Sequence, residues 1–205
     1  YTVVSVPVAY EAGEACPTPP EPVDLAALSS LDGQFRLFQE RMRVLMASSN
    51  DQTLVNHYRQ QLQASPEDPF LRYGLALSLS QRQSWAASES ALDSLLAAHP
   101  DTLAFQLLKA EIEGRTGRET QALARFQGLH NRHPDRAAIL APYAELLIQN
   151  GDPDKAHQAV QLLRPLIDRD TDHARLYALI GRAYELSGET VRAAESHALS
   201  AAWNG

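Results

Sequence analysis

Seven histidines and one cysteine are the side chains on which catalysis or metal binding would turn. His130 and His133 stand three apart, a spacing that offers two imidazoles to one metal ion. Arg132 lies between them and no third ligand follows, so they read as exposed histidines near a helix end. His57, His99, His157, His173 and His197 are scattered without ligand spacing. None of the seven opens the pattern His-Glu-x-x-His. That motif needs two histidines one helical turn apart on zinc, and a glutamate to activate water. Cys16 lies beside Pro17, with Glu14 the nearest charge. A nucleophilic thiol needs a basic neighbour to lower its pKa, and an acidic one works the other way. A single thiol forms no intrachain disulfide and no Cys-based zinc cage. Gly-x-Ser-x-Gly elbows and phosphate-cradling glycine loops are missing from the sequence. Gly114-Arg115-Thr116-Gly117-Arg118 reads as a turn between helices. We therefore expect no catalytic, cofactor or metal site, and no hydrolysis by this chain with or without zinc.

Charge narrows the partners. The 205 residues carry a net charge of −7, against the basic balance that neutralising phosphates requires, so nucleic acid is not expected. No apolar run approaches the ~18 residues needed to span a bilayer. Arg41, Arg43, Arg115, Arg175 and Arg182 would line an anion-binding groove if they converged. Glu40, Glu111, Glu145 and Glu185 occupy the same helical segments, so a mixed face is expected instead. The start at Tyr1, without Met, is what a mature form or a fragment would show.

The elements that would position these side chains fall into two textures. Five of the twelve prolines lie in residues 1–30, at Pro7, Pro17, Pro19, Pro20 and Pro22. They forbid helix, and the β-prone Thr2–Val6 finds no second strand to join. Residues 1–30 are expected to be an extended Pro-rich arm or linker, with residues 1–22 contributing little to stability. Beyond them apolar residues recur at three- and four-residue steps, as in a helix, and no segment alternates with period two. The helices repeat. Pro66, Pro100 and Pro134 are 34 apart; Ala76, Ala110, Ala144 and Gly181 step by 34, 34 and 37; Gly117, Gly151 and Gly188, like Ala122, Ala156 and Ala193, step by 34 and 37. A 34-residue helix–turn–helix period is the tetratricopeptide signature.

Each lattice has a physical reason. The first small residue lets helix A approach its own helix B, and the second lets helix B pack back. Gly117, Gly151 and Gly188 supply the positive φ that ends helix A. The prolines stop helix B. Asp101 and Asp135 are placed to cap the following helix, as are Asp68 before Pro69 and Asp152 before Pro153. Gly74 competes with Ala76 for the small position, and Pro100 favours Ala76. Pro165 is expected to kink or interrupt its helix. Trp85, Phe126, Tyr143, Tyr177 and Tyr184 fall at core positions. The expected fold is an all-α right-handed superhelical solenoid of four to five helical hairpins, residues 31–205. Its repeats are approximately 35–68, 69–102, 103–136, 137–173 and 174–205, the first of them divergent.

Such an array binds protein or peptide on the concave face lined by its A helices. The register places Tyr73, Leu77, Glu111, Arg115, Glu145, Ile148, Arg182 and Glu185 in that groove. Tyr73 is either its aromatic anchor or buried between the first two repeats. With neither sign of charge dominating, binding is expected to depend weakly on salt. The Lys and Asn clamp for acidic C-termini is absent, since Tyr73, Leu107, Ala141 and Ala178 hold one of its positions. Val191, Ala194, Ala198, Leu199, Ala202 and Trp203 give the last helix an apolar face suited to self-association or to a continuing helix.

The strings Phe38-Gln39-Glu40-Arg41-Met42-Arg43-Val44-Leu45, His57-Tyr58-Arg59, Leu71-Arg72-Tyr73-Gly74-Leu75-Ala76-Leu77 and Tyr143-Ala144-Glu145-Leu146-Leu147 carry a narrower resemblance. They resemble the C-terminal tetratricopeptide region of bacterial periplasmic zinc metalloproteases of the beta-barrel assembly-enhancing type. The resemblance implies a periplasmic, non-catalytic half of a protein acting in outer-membrane protein quality control. No catalytic residue carries over, because His-Glu-x-x-His is missing. A free-standing adaptor in a secretion or envelope complex is the other expectation.

Overall fold

The structure, a computed structural model, describes residues 28, 30–47, 52–167 and 173–204. The expected arm, with Cys16 and its prolines, lies outside the described residues except for Leu28 and Ser30. Ten helices and no strands are found among the described residues: α1 Leu31–Met46, α2 Gln52–Ala64, α3 Pro69–Gln81, α4 Trp85–Ala98, α5 Leu103–Arg115, α6 Glu119–Arg132, α7 Ala137–Ile148, α8 Pro153–Ile167, α9 His173–Leu186 and α10 Thr190–Asn204.

From α3 onward the helices pair as hairpins, α3 with α4, α5 with α6, α7 with α8 and α9 with α10. The small-residue lattice explains the close pairing. Ala76, Ala110, Ala144 and Gly181 are buried, as are Ala122, Ala156 and Ala193. Ser88 fills the equivalent place in α4, and its hydroxyl donates to the Ala76 carbonyl at 2.6 Å. Gly74 has a separate reason. A Cβ there would lie 2.4 Å from the Tyr58 ring, so its bare backbone admits α2 against α3. At Gly181 a Cβ would press on the His197 ring of α10 at 2.7 Å. Gly117, Gly151 and Gly188 all have positive φ, and Gln83, at the same lattice position, shares it at 58°.

Two local expectations are corrected. Asp68 and Asp152 cap α3 and α8 through their carboxylates, but Asp101 and Asp135 are not the caps of α5 and α7. The capping position falls one residue later, at Thr102 and Arg136, and neither side chain makes a capping bond. Pro165 does not interrupt α8, which continues to Ile167. It sits in the last turn, where little helix remains to disrupt. Pro142, by contrast, lies in the middle of α7. Phe126, Tyr143 and Tyr184 are buried, while Trp85 and Tyr177 are half-buried against the two core clusters or beside them.

The first pair departs from the pattern. α1 packs along α3 and scarcely meets α2. The lattice positions equivalent to Ala76 and Ser88 hold Met42 and Leu54, too large for two backbones to close on each other. α1 is tied to its neighbours by side chains instead. Arg36 lies 3.8 Å over the Phe70 ring and 3.6 Å from Asp68 at the start of α3, while Arg41 lies beside Tyr73 further along. The two helices therefore run parallel. Leu37 and Val44 are its apolar anchors in the core. Glu40 accepts from the Tyr58 hydroxyl at 2.5 Å and from Arg43 at 2.7 Å, which joins α1 to α2.

Candidate functional site: the inner groove

Three positions on each A helix share one face by spacing of three and four residues. The first is held by Phe70, Ala104, Ala138 and Arg175; the second by Tyr73, Leu107, Ala141 and Ala178; the third by Leu77, Glu111, Glu145 and Arg182. Exposure rises along every one of these rows. Phe70 is buried, Ala104 half-buried, Ala138 and Arg175 exposed. Tyr73 and Leu107 are buried, and Ala141 and Ala178 are half-buried. Leu77 is 7% exposed, Glu111 and Glu145 are intermediate, and Arg182 is exposed. The cause is α1, which lies over α3 and reaches α5, where Arg41 donates to Glu111 at 3.0 Å. The chain thus fills the first half of its own groove and leaves the second half open.

This placement corrects the expected site. Tyr73, 1% exposed, packs against Phe105 with ring centroids 5.4 Å apart and is core, as is Leu77. Both face α1, and the groove position became interior when α1 covered it. Ile148, 1% exposed, belongs to the larger core cluster with residues of α5 to α10, so the last turn of α7 gives its apolar side chain to the interior. Glu111 is engaged by Arg41. Arg115, Glu145, Arg182 and Glu185 remain accessible, and the structure brings the first two together. Glu145 lies 3.7 Å from Arg115 and 3.6 Å from Arg175, bridging α5, α7 and α9 across the inner face. Glu185 faces His197 of α10 at 3.1 Å.

Burial opposes the charge on Arg41, but Glu111 and the Tyr73 hydroxyl outweigh it and hold the guanidinium well above its ordinary pKa. Burial in turn pushes the Tyr73 hydroxyl up. The pair is a fixed polar anchor for α1, not a titrating site. Leu37, Phe38 and Arg41 join this site through the packing of α1, which repeat spacing does not specify. A signal was available, since Met42 and Leu54 already forbid an ordinary first hairpin.

Beside α1 the groove opens into a cavity of about 590 Å³. Phe38 and Arg41 of α1, Leu103 and Leu107 of α5, and Arg136 and Ala138 at the start of α7 are among its walls. Phe38 is 56% exposed, and Leu31, Phe35, Met42 and Leu45 continue its stripe at steps of four and three. Elsewhere, His130 lines a smaller pocket of about 260 Å³ between α6 and α8, with Gln127, Gln158 and Gln161. Among the described residues no three His, Cys, Asp or Glu side chains group to hold a metal ion, and no helix is long and apolar enough to cross a membrane.

Comparison with known proteins agrees with this architecture. The tetratricopeptide repeat family profile matches residues 115–180. Two solved structures of MamA share the fold at low identity. One superposes with a TM-score of 0.57 at 16% identity, over 71% of this chain and 84% of MamA. The other, of MamA from AMB-1, gives 0.55 at 13% identity, over 81% of this chain and 97% of its own. The fold is an all-α tetratricopeptide solenoid. No curated protein matches the sequence.

Proposed function

We propose that this solenoid is a protein-recognition module that takes a segment of a partner in the open half of its inner groove, over α7 and α9. The rise in exposure from Tyr73 to Ala178, and from Leu77 to Arg182, carries this reading. The accessible wall combines apolar surface with a few fixed charges, the composition of a recognition groove. Ala138 is exposed at the mouth and offers the test. Peptides selected against the whole chain from a displayed library should lose binding to Ala138→Trp and keep it with Val191→Asp on α10. Binding indifferent to Ala138→Trp would refute the groove.

The finer reading, supported by the strings resembling periplasmic zinc metalloproteases, is a recognition part working beside a protease in envelope quality control. The adaptor reading differs from it in one observable, a His-Glu-x-x-His domain in the same natural reading frame. Self-association belongs to α10, whose Val191, Leu199 and Trp203 are exposed. Light scattering should show a dimer that Val191→Asp with Leu199→Asp disperses.

A further inference from the structure

The chemistry of the open half also selects its occupant. We propose that it receives an acidic amphipathic helix of a partner protein, seated between α1 and the arginines of α5 and α9, with Arg136 before α7; this rests on the groove reading above and deepens it. The whole chain is acidic, at −7, yet four exposed arginines lie around this surface. Arg115, Arg136, Arg175 and Arg182 are exposed there, against Glu145, Glu185 and, at the cavity wall, Asp101, which Arg132 engages at 3.3 Å. Glu145 is already shared by Arg115 and Arg175, and Glu185 faces His197. Among the described residues the arginines that pair with carboxylates include Arg115, Arg132, Arg175 and Arg192, but not Arg136 or Arg182. Guanidinium groups favour carboxylates that reach them as two-pronged partners.

α1 shows how a helix fits. It lies parallel to α3, turning Leu37 and Val44 onto the inner face and Arg41 onto Glu111. In the open half the equivalent third-position charge is Arg182 in place of Glu111, so the complementary residue on an incoming helix is acidic. Its apolar side meets Ala138 and Phe38 at the cavity and the half-buried Ala141 and Ala178 beyond it, small residues that leave room for branched side chains. The same charges exclude a second copy of α1, whose Arg36, Arg41 and Arg43 outnumber Asp32 and Glu40.

Three fluorescein-labelled synthetic peptides of about 18 residues, long enough for measurable helicity, make the test. One is an amphipathic Leu/Ala/Glu helix, the second carries Lys for every Glu, and the third is the acidic peptide broken by a central proline. Anisotropy against the full chain should rank the acidic helix about tenfold above the other two, and its affinity should fall severalfold from low to physiological salt, a steeper dependence than the mixed face expected from the sequence implies. Arg175→Glu with Arg182→Glu, both at exposed positions, should invert the preference toward the Lys peptide. Equal binding of both signs, or of the proline-broken peptide, overturns the proposal. If that binding is still lost in Ala138→Trp, the groove survives and only the acidic helix falls. If binding persists in Ala138→Trp, the groove itself is refuted. No binding by any of the three overturns the acidic helix, while the library selection reports on the groove separately.

Discussion

Gln83 holds a φ of 58°, where its lattice partners are all glycine. A left-handed backbone at a residue with a Cβ costs roughly 1–2 kcal/mol, part of which glycine returns through its freer unfolded chain. Gln83→Gly should therefore raise stability by about 0.5–1 kcal/mol, seen as a Tm increase of about 1–4 °C. Gly117→Ala should move Tm the other way. The two helical glycines at tight contacts separate by what they touch. Gly74→Ala drives a methyl into the fully buried Tyr58 ring, and should cost about 1–3 kcal/mol as overpacking. Gly181→Ala meets His197, whose side chain is 39% exposed and has solvent to swing into. Chemical denaturation of both variants should find the Gly74 change the more damaging. Equal losses would show that His197 is held as firmly as Tyr58.

At the scale of elements, polar links join helices whose apolar contact is thin. The Tyr58 hydroxyl is pushed well above its ordinary pKa, chiefly by burial and then by the Glu40 carboxylate, so it stays a donor. Tyr58→Phe removes that donor while leaving the ring over Gly74, and should cost about 1–2 kcal/mol by denaturant melting. Between α4 and the next hairpin, Glu89 takes Lys109 at 2.5 Å and Arg118 at 2.7 Å. The hydrogen bonds from Arg118, with Lys109 behind them, hold the Glu89 carboxyl below its usual range despite some burial. A depressed carboxylate favours the folded state above its unfolded value near 4.5, and that contribution is lost as pH falls from there through the folded value. Glu89→Gln should lower Tm near neutrality and flatten its fall below about pH 4.5. A variant whose Tm follows the parent at every pH would show that the network holds nothing.

For the whole molecule, the unequal groove follows from where the first helix settled. α1 is anchored by two buried apolar side chains, Leu37 and Val44, whereas α5 and α7 are core along most of their length. Segments with few buried contacts open at lower free energy than the global transition. Amide exchange should therefore release residues 31–46 before α5 and α7. Leu37→Ala should quicken exchange in α1 and at Tyr73 while leaving α7 unchanged. Exchange of α1 and α7 at one common rate would mean a single cooperative unit.

Period and punctuation were fully present in the chain. The steps of 34, the small residues from Ala76 to Gly181 and the positive-φ glycines are local demands, each met by one residue type. They determined that helices form, where they turn and how each of the later hairpins closes. What they did not determine was exposure. Tyr73 and Leu77 have the spacing of groove residues and are buried only because a helix more than thirty residues earlier lies across them. Placing α1 there depends on competing contacts with α2, α3 and α5. Met42 and Leu54 close off the first, and Arg41, by reaching Glu111, secures the last. Helical periodicity records which side chains share a face; which faces are covered is decided by packing between helices distant in sequence.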